Sequence, residues 1–222
     1  MNYFYALLAL AAVLGPIVLS FDKRVQYVTH WKSVLMASLL IAIPFIIHDS
    51  YFTKTGVWGF NDNYLIGLRF LQLPIEEWSF FIIVPFCCYF IYRCCEHYFK
   101  KLTTRIYNRI IQLFVLIYIL FILLNSSAGI YSFWVGFASL AVLILWIFRT
   151  ERDYQGMAFV ISLIPFLLMN GALTGSFSDE PVVWYEESAK IAGRIGTIPY
   201  EDVLYAFTLI ISVNLLTPLF KK

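Results

Sequence analysis

Arg69-Phe-Leu-Gln-Leu-Pro-Ile-Glu-Glu77 is followed, 125 positions later, by a near-copy, Arg194-Ile-Gly-Thr-Ile-Pro-Tyr-Glu-Asp202. In each copy an Arg stands five residues before a Pro, and two acids stand two and three residues after it, at the head of a long apolar run. Pro suits the first turn of a helix, where its missing N–H costs nothing, so Pro74 and Pro199 predict helix starts with acids in the first turn. Carboxylates there also complement the helix dipole. That alone accounts for one such pattern, but a second copy with its own Arg makes this a repeated site.

Working outward, 61% hydrophobic and 14% charged residues over 222 positions exclude an ordinary soluble domain and any nucleic-acid partner. Apolar runs long enough for a hydrocarbon core of roughly 30 Å recur along the chain. Backbone facing lipid must satisfy itself, so helices are expected. Seven spans are predicted, at 2–20, 33–51, 74–94, 107–125, 128–148, 157–176 and 200–219. The first lacks the basic n-region and cleavage site of a secretory signal, so it is read as a mature helix with its N-terminus outside.

Charge sets the orientation. Lys23, Arg24, Lys32, Arg93, Lys100, Lys101, Arg105, Arg109, Arg149, Arg152, Lys221 and Lys222 fall in connections on one side, against Lys54, Arg69, Lys190 and Arg194 on the other. The C-terminus is therefore expected in the cytoplasm of a cell-membrane protein, with both acidic signatures toward the opposite face. Three helices cross an odd number of times, so a direct duplication would invert its second copy. One inserted helix restores parallel copies. The expected architecture is an all-α membrane protein of about seven transmembrane helices: a first three-helix repeat (1–102), a linker helix (103–126) and a second repeat (127–222).

The connections ahead of each signature, Asp49 to Leu73 and Asn170 to Ile198, are rich in Trp, Phe, Tyr and Ile. They are expected at the membrane interface or folded back as caps. Cys87, Cys88, Cys94 and Cys95 fit no zinc template and read as small packing residues. His30, His48 and His97 are scattered, so no metal site is expected; only His48, beside Asp49, lies near the acidic face. Dinucleotide, Walker and nucleophile-elbow motifs are absent, as is an aspartate-rich diphosphate site. No cofactor is expected.

A carboxyl group at a dry site is pulled both ways, since desolvation favours its neutral form while a helix N-terminus or an Arg favours its anion. Two that share a site can offer a proton donor and a base together. An apolar substrate with no handle but its double bonds would be protonated, form a carbocation and surrender a proton, with aromatic faces stabilising the cation. Adjacent residues lie about 100° apart on a helix, so one acid of each pair is expected to face the pocket and the other to anchor an Arg.

The duplicated Pro-x-Glu-(Glu/Asp) signature, with Trp58-x-Phe-Asn61 before the first copy and Asn170-x-x-Leu-Thr174, Pro181-Val-Val-x-Tyr185 and Ile195-Gly-Thr-Ile-Pro199 before the second, resembles the membrane-integral lycopene cyclase family in its fused form. The resemblance implies redox-neutral closure of lycopene ψ-ends to rings, β-rings foremost. Its implied partners are lycopene or a related acyclic carotenoid, the lipid bilayer and other carotenoid-biosynthesis enzymes. Its implied acid and base set is Glu76, Glu77, Glu201 and Asp202. Asp49, Trp58, Asn61, Asn170 and Tyr185 are expected to bind substrate or support the site, and Arg69 and Arg194 to pair with the acids. Tyr200 departs from the aliphatic residue common at its position. The competing reading is a transporter or proton pathway built on intramembrane carboxylates. A retinal protein would need a Schiff-base Lys in the last helix, and 200–219 has none.

Overall fold

The computed structural model describes residues 3–99, 104–149 and 154–221; Lys100, Lys101, Arg152, Lys222 and the expected boundary at 102/103 lie outside them. The described residues form seven α-helices, α1 (Phe4–Leu19), α2 (Trp31–Thr55), α3 (Ile75–Tyr98), α4 (Thr104–Leu123), α5 (Ile130–Ile147), α6 (Gln155–Leu173) and α7 (Glu201–Leu216). Helices α2 to α7 are long and apolar enough to cross a membrane, and α1 is shorter, at 16 residues. The chain is an all-α membrane protein with helices close to all seven expected spans.

Helices α3 and α7, which carry the signatures, sit at the centre. The first packs on α1, α2, α6 and α7, the second on α2, α3, α5 and α6. Four helices hold an interior proline, Pro16, Pro44, Pro85 and Pro165. Each deprives the carbonyl four residues earlier of its donor, a loss that a neighbouring helix can make good. For Pro16 the freed Ala12 carbonyl accepts from Cys87 Sγ of α3 at 3.5 Å. All four cysteines are free thiols.

The connections hold what a reading in helices alone leaves out. After α2 come β1 (Trp58–Phe60), a 3-10 turn (Asp62–Tyr64) and a hairpin of β2 (Arg69–Phe70) with β3 (Leu73–Pro74). After α6 come β4 (Val183–Tyr185), a 3-10 turn (Glu187–Ala189) and a hairpin of β5 (Arg194–Ile195) with β6 (Ile198–Pro199). Each element starts 125 positions after its counterpart, 58 to 183, 62 to 187, 69 to 194 and 73 to 198.

Strands β1 and β4 pair antiparallel, Trp58 opposite Tyr185, Gly59 opposite Trp184 and Phe60 opposite Val183. Matching bonds extend the ladder, Asn61 N–H to the Val182 carbonyl at 2.9 Å and Glu186 N–H to the Val57 carbonyl at 2.8 Å. Counterparts thus exchange places across a local two-fold axis between Gly59 and Trp184. At that axis one side chain must vanish: a Cβ on Gly59 would lie 2.3 Å from the Trp184 ring.

Four expectations shift by less than two turns. Pro74 and Pro199 end the hairpins, and the helices begin at Ile75 and Glu201, with the acids still in the first turn. A proline tolerates the end of a two-residue strand because it owes no further ladder bond. Asp49, in the second-last turn of α2, and Asn170, in the last turn of α6, belong to helices rather than to the connections.

Candidate active site

The two second acids meet. Glu77 and Asp202 line one cavity of about 40 Å³ with Asp49, Trp58, Phe60, Phe80, Tyr131, Phe166, Asn170, Tyr185 and Tyr205. Side chains alternate along a strand, so Trp58 and Phe60 of β1 and Val183 and Tyr185 of β4 turn the same way and roof this space. The rings pack among themselves: Tyr131 and Tyr185 stack with centroids 6.0 Å apart, and Trp58 meets Tyr131 edge-on at 5.1 Å.

Each inward acid receives a tyrosine from the first helix after its repeat begins, Tyr5 of α1 donating to Glu77 Oε2 at 2.8 Å and Tyr131 of α5 to Asp202 Oδ1 at 2.7 Å. Asp202 Oδ2 also accepts from Asn170 Nδ2 at 2.7 Å and Tyr185 at 3.0 Å. Burial, then the charge of Asp202, pushes the Tyr185 hydroxyl well above its ordinary value, so it stays a donor. A third carboxyl group, Asp49, accepts from Tyr205 of α7 at 2.7 Å and bonds His48 Nδ1 at 2.7 Å.

The first acids turn away, as the helical twist requires. Glu76 Oε1 accepts the Ile66 N–H at 2.7 Å, and Glu201 Oε1 accepts the Ile191 N–H at 2.7 Å and Ser132 Oγ at 2.6 Å. Both pin the loop that precedes their hairpin. The second oxygen of each is buried and has no partner among the described residues.

The arginines do not pair with the signature acids, which corrects the sequence reading. Arg69 binds Asp62 Oδ1 at 2.6 Å and the Gln72 carbonyl at 3.1 Å; Arg194 binds Glu187 Oε1 at 2.5 Å and the Thr197 carbonyl at 2.6 Å. The hairpins face them back over the 3-10 turns, where an acid sits seven residues upstream. Lys190 also binds Glu187, at 2.5 Å, and these two cations, Lys190 before Arg194, hold Glu187 below the usual carboxylate range. Asn61 is likewise a loop residue, accepting from Asn63 N–H at 3.1 Å and donating to Glu180 at 2.8 Å.

Of the residues expected from sequence, Glu77, Asp202, Asp49, Trp58, Asn170 and Tyr185 come together, and Glu76, Glu201, Asn61, Arg69 and Arg194 brace the frame around them. Sequence reasoning missed Tyr5, Tyr131 and Tyr205. The available signal was a tyrosine near the start of the first helix of each copy, at 5 and 131. Chemically, the cavity offers carboxyl groups of unequal hydrogen bonding inside an aromatic shell, which suits moving a proton onto and off an apolar molecule.

The family model described as lycopene cyclase matches residues 2–95 and 128–220. The chain belongs to that family. It is similar to a bifunctional lycopene cyclase/phytoene synthase of Podospora anserina, 33% identical over 89 residues, which is 37% of this chain and 14% of that protein. A protein of the same description from Pyrenophora tritici-repentis is 35% identical over 91 residues, 37% of this chain and 15% of that protein. The match thus spans about a seventh of each relative's length. No solved structure matches.

Proposed function

We propose that this chain cyclises the ψ-ends of lycopene to β-rings by acid–base isomerisation without a cofactor, Glu77 giving the proton and Asp202 taking one away. The observation that carries this reading is the meeting of one carboxyl group from each signature in a single aromatic cavity. Family membership supports the reaction class. Hydrogen bonding supports the division of labour. Asn170 Nδ2 can only donate, and with two tyrosines it suits an anionic Asp202. Glu77, with Tyr5 as its single side-chain donor among the described residues, is free to carry a proton.

The steps balance. Glu77 protonates the terminal double bond, leaving a tertiary cation; the C5–C6 double bond attacks it, closing the ring and moving the charge to C5. Asp202 removes the proton at C6, which forms the ring alkene. One proton enters and one leaves, so the product is an isomer of the substrate. Trp58, Tyr131 and Tyr185 present the faces that stabilise the passing cation.

The same reading takes residues 1–102 and 127–222 as parallel repeats about a linker helix at 103–126. The 125-residue offset of the connections and signatures, and two matched segments flanking α4, support it. It sets the N-terminus outside and the C-terminus in the cytoplasm of a cell membrane. The relatives' names, which join a cyclase to phytoene synthase, support other carotenoid-biosynthesis enzymes as neighbours. The test is purified protein in liposomes with lycopene, in heavy water, with no ion gradient and nothing else added. Cyclic product carrying one deuterium per ring is expected. Unchanged lycopene, with collapse of a proton gradient imposed across the same liposomes in a parallel assay, would overturn the reading in favour of a proton pathway.

A further inference from the structure

A second cavity, of about 210 Å³, lies beside the first, between α2 and α5. Pro44, Phe45 and His48 of α2 face Trp134 and Ala138 of α5, and Thr208 and Ser212 of α7 lie beneath. Among the described residues, Tyr205 alone lines both cavities. Its hydroxyl donates to Asp49 at 2.7 Å and its ring meets Phe45 edge-on at 5.1 Å, so it stands as a partition.

Three observations say what this groove takes. It opens on an apolar flank, where Trp134 is 52% exposed beside the exposed Ile43, Ile47 and Phe137, so its mouth faces lipid rather than water. Its volume exceeds the roughly 150 Å³ at which an apolar cavity admits benzene, whereas the acid cavity has room for about one water. An end group that closes to a six-membered ring therefore needs the larger space. The two-fold counterpart of this seam, between α1 and α6, is closed by packing of those helices on each other. The bundle thus offers an entrance on the α2–α5 side.

Resting on the cyclase reading above, we infer that this groove docks an acyclic isoprenoid polyene from the bilayer, with its end against Tyr205 and its arm running out between α2 and α5. Displacing the Tyr205 ring would join the groove to the acid cavity and bring the terminal double bond to Glu77.

The test blocks the groove after folding. Ala138→Cys and Ser212→Cys are purified in detergent and labelled with N-ethylmaleimide, and the parent protein is carried through the same labelling to account for its own cysteines. Lycopene retained through gel filtration and ring formation are both measured. Labelling should lower both by about tenfold or more relative to the same variant unlabelled, while the labelled parent keeps them. Labelled variants that hold and cyclise lycopene like the parent would overturn the groove. Glu77→Gln, measured alongside, separates the two ideas: it should retain pigment without turnover. Ring formation by that variant would overturn the acid–base reading, whereas pigment retention by the labelled variants judges the groove alone.

Discussion

Glu77 receives one side-chain hydrogen bond where Asp202 receives three, although the elements that carry them repeat at an offset of 125 residues. Much of the frame is copied: Glu76 on Ile66 N–H recurs as Glu201 on Ile191 N–H, and Arg69 on Asp62 and Gln72 recurs as Arg194 on Glu187 and Thr197. The difference traces to two positions. Asn170 and Tyr185, which donate to Asp202, stand where the first copy has Asp49, five residues after the interior proline of its helix as Asn170 is, and Phe60. On the repeat reading proposed above, two side-chain exchanges left one acid without an amide or tyrosine donor from these positions and gave the other a shell of donors. An acid and a base can be drawn from one ancestral motif in this way.

The strongest way to break that comparison is to neutralise each acid. Glu77→Gln and Asp202→Asn keep shape and remove the titrating group, so each should lower ring formation by about 10²–10⁴-fold. Pigment extracted from a lycopene-accumulating host would show the loss directly. If one variant cyclises at near the parental rate, that half of the cavity is frame only and the division into acid and base fails.

Much of the fold was legible beforehand, the contrast between the two acids was not, and the reasons for what was hidden are specific. The apolar runs located all seven helices, and the duplicated signature pointed to paired acids before any coordinate was known. The β1–β4 ladder was not legible because strands of three residues gain their partners 125 positions away, and no local period marks them. The first hairpin was hidden by its turn: Leu71 and Gln72 both adopt positive φ, at +49° and +67°, where glycine or asparagine is the usual signal. Its second copy does carry that signal, in Gly196 at φ +64°. The arginine partners were misread because spacing from a proline says nothing about the face to which a hairpin turns. Which acid of each pair faces inward was undecidable without the helix start to within a residue.

A smaller effect sharpens the contrast at its source. Tyr185→Phe makes the second copy resemble the first at position 60 and removes one of three donors to Asp202. A hydrogen bond to a charged group contributes about 1.5–3 kcal/mol, so turnover should fall between roughly tenfold and a hundredfold. The reciprocal change, Phe60→Tyr, adds a hydroxyl to the same roof without restoring that bond. An unchanged rate in Tyr185→Phe would show that the donor shell does not distinguish the two acids.

The smallest effect on turnover is expected at the outer acids, and it divides each signature into a reacting and a bracing member. Glu76 and Glu201 are buried and accept loop N–H groups, a task the amide oxygen of glutamine performs equally well. Glu76→Gln and Glu201→Gln should therefore cyclise lycopene within a few-fold of the parent, unlike Glu77→Gln. Alanine tests the brace itself. Glu201→Ala strands the buried Ile191 N–H and the Ser132 hydroxyl, at a cost of about 1–3 kcal/mol for each group left unsatisfied. Glu76→Ala strands only the N–H of Ile66, a residue 42% exposed, where water can take the place of the carboxylate. Thermal unfolding in detergent should accordingly rank Glu201→Ala below Glu76→Ala, and Glu76→Ala below the parent. A loss of turnover in either glutamine variant as severe as that of Glu77→Gln would place the outer acid in the reaction, and the separation of each pair into an inner and an outer role would have to be given up.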